Sequence, residues 1–282
     1  MNENLNKMPR AYILIKWIMF TAAATSMAIV AAFYPIKGNL PLIVVPSILV
    51  LLLAKPVFFE KMKLNTLVVM RILVVFAAID IFPRQLYVNI ILWMLVVNIL
   101  EATFTDLLRH KKYFNAVSGF AVAIGVFTLS GMWAYGAPIG NYYIVGGVLP
   151  IITICYVAAY TIWNWIFVTN EFSPSVALMH VGILSAPLIG GLLTAWMGPY
   201  GGLTMWLILR ANSLSIGGWM QIGAKPWFEK EFADEGFSKF VDGVHKTSVQ
   251  VVLMVINLAL IGTCIYYAYA TGTIALPSLA WQ

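Results

Sequence analysis

Three ionisable side chains stand where an apolar chain accommodates them least. Arg71, Glu101 and Arg210 each lie well inside a long hydrophobic run. A charge near the centre of a bilayer costs at least about 2.5–3.5 kcal/mol on insertion scales, and residues that bear this cost face the bundle interior and mark ligand or ion paths. At a rise of 1.5 Å per residue, Arg71 and Glu101 each fall about 10 Å from the same end of neighbouring antiparallel helices. An Arg71–Glu101 ion pair is therefore expected, either fixing helix register or tuning the carboxylate. Arg210 lies deeper, about 18 Å in. With Glu101 as the obvious counter-charge for two arginines, one guanidinium is left for a substrate anion, a carbonyl cluster or water.

Other polar groups gather at similar depth. Asn98, Glu101 and Thr105 recur at i, i+3 and i+7 and share a helix face. Asn164 is flanked by Trp163 and Trp165, and His180 lies about six residues inside its run. Asn212, Ser213 and Ser215 follow Arg210, then Gly217-Gly218. This stretch is expected to unwind locally, as is the one interrupted by Pro187 with Gly190-Gly191, because broken spans recur at transporter binding sites. The expected site therefore comprises Arg210, Asn212, Ser213, Asn164, His180 and Asn98 as ligand-binding residues. Glu101 and Arg71 form its coupling or ion pair. A cation–π contact of Arg210 with Trp206, one turn earlier, is expected as well. Taken singly, most of these polar groups read as ordinary interhelical hydrogen bonds.

The elements that position them follow from composition. Of 282 residues, 61% are hydrophobic and 10% charged, whereas soluble domains run about 45–50% apolar and about 25% charged. This balance excludes a soluble globule and a disordered chain. It leaves an all-α, polytopic integral membrane bundle forming one transmembrane domain over 1–282. Spans of about 20 apolar residues are expected at 11–34, 39–55, 64–82, 86–108, 113–135, 142–169, 175–197, 200–222 and 248–271. The polar pocket would be lined by the third, fourth, sixth, seventh and eighth. Residues 1–10 form a polar tail ahead of a retained first span.

Orientation follows from the basic residues. With the N-terminus inside, twelve Lys and Arg fall in inward segments, from Lys7 and Arg10 to Lys246, and two, Lys37 and Arg84, in outward ones. Cytoplasmic loops are enriched in such residues. The N-terminus is thus expected in the cytoplasm, the C-terminus outside, and the chain in a bacterial-type cytoplasmic membrane. The net charge of +6 then reports orientation, since no basic face with aromatic platforms points to nucleic acid. Residues 223–247 form a cytoplasmic amphipathic loop: Phe237, Phe240, Val241 and Val244 recur at helical spacing, with Gly236 separating them from Trp227, Phe228 and Phe232. Ala24, Ala28 and Ala32 make a flat stripe for close helix contact. Lys16 is near enough to the inner end to snorkel, and Asp80 and Asp106 lie near span ends, close to water.

Several chemistries lack their residues. Three histidines, His110, His180 and His245, are too scattered for a di-iron site. No P-loop or Gly-x-Ser-x-Gly elbow occurs, and Cys155 and Cys264 have no metal-ligand spacing. No cofactor or metal is expected. The leading expectation is a small-molecule transporter or permease, proton-coupled through Glu101 and binding an anionic group through Arg210. A membrane enzyme acting on a lipid or isoprenoid, or a non-catalytic sensor or assembly subunit working through 223–247, are the alternatives. Expected partners are membrane lipids and a small-molecule or lipid ligand.

Overall fold

A computed structural model describes residues 9–146 and 148–281. Lys7 and most of the expected N-terminal tail lie outside the described residues. Eleven α-helices are described: α1 (Arg10–Phe33), α2 (Pro35–Asn39), α3 (Val45–Leu53), α4 (Phe58–Ala78), α5 (Arg84–Thr105), α6 (Tyr113–Gly125), α7 (Pro150–Glu171), α8 (Pro174–Thr194), α9 (Trp206–Glu231), α10 (Glu235–Val244) and α11 (Thr247–Ala270). A π-helical turn at Leu40–Val44 joins α2 to α3, and another at Asp106–His110 extends α5. One antiparallel hairpin, β1 (Gly131–Ala134) with β2 (Tyr142–Val145), pairs Gly131 with Val145 and Ala134 with Tyr142.

The helices start where the chain provides starts. Pro150 and Pro174 occupy the first turns of α7 and α8, where a missing N–H costs nothing. The Glu60 carboxylate accepts the Val57 N–H ahead of α4, and Asp234 caps α10 by accepting the Phe237 N–H. Six helical segments are long and apolar enough to cross a membrane: Arg10–Phe33, Pro35–Leu53, Arg84–His110, Pro150–Glu171, Pro174–Tyr200 and Thr247–Ala270. Large apolar side chains such as Met19, Leu52, Leu53, Leu192 and Tyr269 stand exposed on their outer faces, as surfaces solvated by lipid would be.

Three of the nine expected segments, at 64–82, 113–135 and 200–222, fall outside that set. The first corresponds to α4, which carries Glu60, Lys61, Lys63 and Arg71. The second holds α6, which is 13 residues long and gives way to β1. The third corresponds to α9, whose polar run starts at Arg210. The hairpin corrects the purely helical expectation: Tyr142–Val145, expected to open a span, is a strand buried at every position, and a short apolar run does not by itself distinguish strand from helix.

The ends of the bundle are tied differently. At one, which we call the basic pole, Lys16 pairs with Glu231 and Arg10 with Asp234. There Glu171 accepts from Arg109 and contacts the His110 ring at 2.7 Å, and His245 bonds Thr169. Phe20 packs edge-on against Phe228 and Phe232. At the opposite pole the hairpin meets the start of α5, where Gln85 donates to the Gly131 carbonyl. The C-terminal segment runs back over the same helix: Asn89 and Trp93 donate to the carbonyls of Ser278 and Pro277, and Trp281 packs against Phe82.

Close packing uses small residues. Ala24, Ala28 and Ala32 are fully buried where α1 meets α8 and α9. A Cβ on Gly119 would lie 2.1 Å from Thr103 Oγ1 and 2.6 Å from Trp163 Nε1, so only glycine lets α6 fit between α5 and α7. Lys55 and Asp80, on either side of α4, have φ of 47° and 61°, and Lys111 has 55°. Non-glycine residues seldom adopt this left-handed backbone.

The amphipathic segment is helical, as α10, with Val241 and Val244 buried. Its break from the aromatic cluster lies at 232–234, and Gly236 sits inside the first turn of α10. Asp106, expected near water, is fully buried and accepts from Asn115.

Candidate functional site

A cavity of about 240 Å³ lies among α4, α5, α7 and α9. Its floor holds Arg71 from α4, Tyr160 from α7 and Arg210 from α9, all buried. Asn98 and Glu101 line it from α5, and Lys63 and Thr66 from α4. Apolar side chains complete the wall, among them Leu67, Met70, Ile91, Met94, Leu95 and Leu207. The exposed lining residues, Met62, Lys63, Thr66, Val97 and Glu101, all belong to α4 or α5. The cavity therefore opens between these two helices, along the side of the bundle nearer the basic pole.

The two guanidinium groups are held without a carboxylate. Arg71, 1% exposed, donates through Nη1 to Asn212 Oδ1 and through Nη2 to the Tyr87 hydroxyl. Its Nε is buried with no partner. Asn212 is fixed in turn, because its Nδ2 donates to the Ala28 carbonyl, which the alanine stripe of α1 brings within reach. Arg210, 6% exposed, donates through Nε to the Tyr160 hydroxyl at 3.0 Å and leaves Nη1 buried without a partner. Among the described residues no carboxylate comes within ion-pairing distance of either arginine.

This overturns the expected Arg71–Glu101 pair. Glu101 shares the cavity but sits at its exposed mouth, and its carboxylate makes no hydrogen bond or ion pair among the described residues. Equal depth places two residues at one level but does not set the direction each faces. The expected Trp206 contact is also replaced. The Arg210 guanidinium lies 5.5 Å from the centroid of the Tyr160 ring, and Trp206 packs edge-on against that ring at 4.9 Å.

Of the expected site residues, Arg71, Asn98, Glu101 and Arg210 line one cavity, and Asn212 stands behind Arg71. Three lie elsewhere. Ser213 returns its hydroxyl to the Arg210 carbonyl inside α9. His180 bonds Gln221 at 3.0 Å, stacks on Phe172 and joins α8 to α9 away from the cavity wall. Asn164 is buried beside Trp163, its Oδ1 without a partner. Thus α8, expected in the lining, contributes nothing to it.

The expected unwinding is absent too. The helix α9 runs unbroken past Arg210 to a kink at Ala224, two residues before Pro226, and α8 continues through Pro187. Ser213 and Ser215 bond carbonyls of their own helix. A Cβ on Gly217 would stand 2.9 Å from Ile183, so this glycine allows α8 and α9 to approach.

Tyr87, Tyr160 and Lys63 were not among the expected site residues. Tyr160 lies one turn before Asn164, and the other two carry no sequence signal beyond their type. Among the described residues no group of three His, Cys, Asp or Glu side chains converges on a metal position. What the arrangement can do chemically is attract an anion: two fixed guanidinium groups line one cavity with no carboxylate among the described residues to neutralise them. Comparison of the chain with family models, with curated proteins and with solved structures returns no match.

Proposed function

We propose that the chain is a nine-span protein of a bacterial-type cytoplasmic membrane that binds a small organic anion in the α4–α5–α7–α9 cavity and carries it across the bilayer. Helices α4, α6 and α9 join the six long apolar segments as spans, with the N-terminus in the cytoplasm and the C-terminus outside. One observation carries the reading: Arg71 and Arg210 are buried at the floor of one cavity without a carboxylate partner. An unpaired buried charge is costly, and such residues persist inside membranes where function needs them. An anion seated beside them supplies the missing counter-charge.

Glu101 is the coupling carboxylate in this reading. It stands at the mouth, unpaired and open to protons, and its charge opposes that of an incoming anion. Neutralisation by a proton removes that repulsion, so substrate and proton enter together. Proteoliposome uptake of methyl phosphate, hexyl phosphate and heptanoate under an imposed proton gradient tests the scheme. Wild-type protein is expected to accumulate at least one of them, Glu101→Gln to lose dependence on the gradient, and Arg210→Ala to lose uptake. Wild-type rates in both variants would sink the assignment.

A second reading, an enzyme that acts on a lipid, is favoured by the side-facing mouth between α4 and α5. It requires a chemically altered lipid after expression, and a lipidome unchanged by the protein rules it out.

A further inference from the structure

We infer that the ligand is an anionic amphiphile, specifically the phosphate monoester of an aliphatic alcohol, seated head-first on Arg71 and Arg210 with its chain leaving the bundle between α4 and α5. The inference rests on the reading of the cavity as an anion site and adds both the head and the tail.

Charge selects the head. The floor presents two permanent positive charges, and Lys63 adds a third at the mouth. Against them stands one acid, Glu101, which pairs with neither arginine. A carboxylate bound at the floor would leave one guanidinium uncompensated. A phosphate monoester carries about −1.5 to −2 at neutral pH and offers three acceptor oxygens. Arg71 and Arg210 line the floor with no carboxylate among the described residues to neutralise them, and Arg71 Nε and Arg210 Nη1 are buried without a partner. Guanidinium groups suit such oxygens by geometry as well as by charge.

Shape and composition select the tail. The cavity, about 240 Å³, is smaller than the roughly 300–1,000 Å³ that encloses a drug-sized ligand. It holds a head and a few carbons, and the rest of any chain must emerge. The only exposed lining residues lie on α4 and α5, so the exit is between them. Along that path the wall is Leu67, Met70, Met94 and Leu95, with Met62 and Val97 exposed at the rim. Methionine and leucine accept a flexible chain without demanding one shape. The outlet runs along the flank of the bundle, where Met62 and Val97 form the apolar side of a rim that Lys63, Thr66 and Glu101 complete, and the tail leaves along that apolar side.

Calorimetric titration of the full-length protein in nanodiscs of zwitterionic phosphatidylcholine tests both halves. Each methylene moved from water into an apolar site is worth about fourfold in affinity. Three seated methylenes should make hexyl phosphate about sixtyfold tighter than methyl phosphate. Hexyl phosphate should also bind at least about tenfold tighter than heptanoate, the monoanion of similar length. Arg210→Gln and Arg71→Gln should each weaken hexyl phosphate at least about thirtyfold. Met94→Trp, which fills the cleft and leaves the arginines in place, should remove the chain-length advantage, so that hexyl and methyl phosphate bind this variant within threefold of each other.

The failures separate cleanly. Methyl and hexyl phosphate binding within threefold of each other would overturn the amphiphile inference while the anion site stands. Heptanoate matching hexyl phosphate would overturn the phosphate head. Hexyl phosphate bound equally by wild type and both arginine variants would reflect partition into lipid and would remove the anion site as well.

Discussion

At the residue scale, the site depends on how its charges are held as much as on where they are. Arg71 reaches its position because Asn212 accepts from it while donating to the backbone of α1. Replacing Asn212 with Leu keeps most of the volume and deletes both bonds. It should cost about 1–3 kcal/mol, the usual penalty for stranding a buried donor, seen as a lower thermal midpoint in detergent, and phosphate affinity should fall with it. Tyr160→Phe removes the acceptor of Arg210 Nε but retains the ring against Trp206. The expected result is a loss of about 1–3 kcal/mol in stability from the stranded Nε–H, together with weaker anion binding by calorimetry. Unchanged affinity would show that Tyr160 does not orient Arg210. The sequence exposed Arg71, Glu101 and Arg210 because charge in an apolar run is conspicuous. It did not expose their partners: Tyr87 and Tyr160 look like any membrane aromatics, and the asparagine that matters to Arg71 lies 141 positions away.

At the scale of the elements, packing depends on local close approach. Gly119 is the tightest such point near the site, and Gly119→Ala should destabilise by about 1–3 kcal/mol through overpacking against Thr103 and Trp163. Thermal unfolding reads this, and Thr103→Ala in the same chain should recover part of it. At the basic pole, His245 links the end of α10 to Thr169 of α7. Burial holds its imidazole below the usual 6.5, and nearby Lys112 lowers it further, against smaller opposing effects of the Thr169 bond and Asp242. The unfolded segment therefore binds a proton that the docked one resists, and stability is lost as pH falls below about 6.5. Protection factors of the α10 amides, corrected for the intrinsic pH dependence of exchange, should be lower at pH 5.5 than at 7.5, and His245→Gln should flatten this difference. Helix positions were readable from apolar runs. The hairpin was not, because Tyr142–Val145 is too short a run to reveal its period. Nor was the continuity of α9, where serines and glycines that could have loosened the helix bond and pack within it instead.

For the whole molecule, the ties at the basic pole bring together helix ends that the proposed orientation puts in the cytoplasm. Single cysteines at Lys239 and at Ile139 test that orientation in intact cells. A membrane-impermeant maleimide should label the position in the hairpin turn at once and the position in α10 only after permeabilisation. The reverse pattern would invert the chain. The helical class was legible from the apolar runs, and six of the helical segments are long and apolar enough to cross a membrane. The location of the cavity was only partly legible. Depth along each helix can be counted from the sequence, but the direction a side chain faces depends on how the helices are rotated against one another.

The left-handed residues on either side of α4 have a mechanical meaning. The helix α5 is fastened at both ends, by the C-terminal segment over Asn89 and Trp93 and by the cluster around Asp106 and His110. It behaves as a fixed post. The helix α4 turns out of Lys55 and into Asp80, where Arg84 of α5 bonds both Asp80 and the Ala77 carbonyl, and between its ends Arg71 makes its polar links to the neighbouring helices. In the proposed reading of the cavity, α4 would be a lever whose fulcrum is also the ligand's anchor, and an anion drawing on Arg71 would move the arm that carries Lys63 and Thr66 and so change the width of the gap.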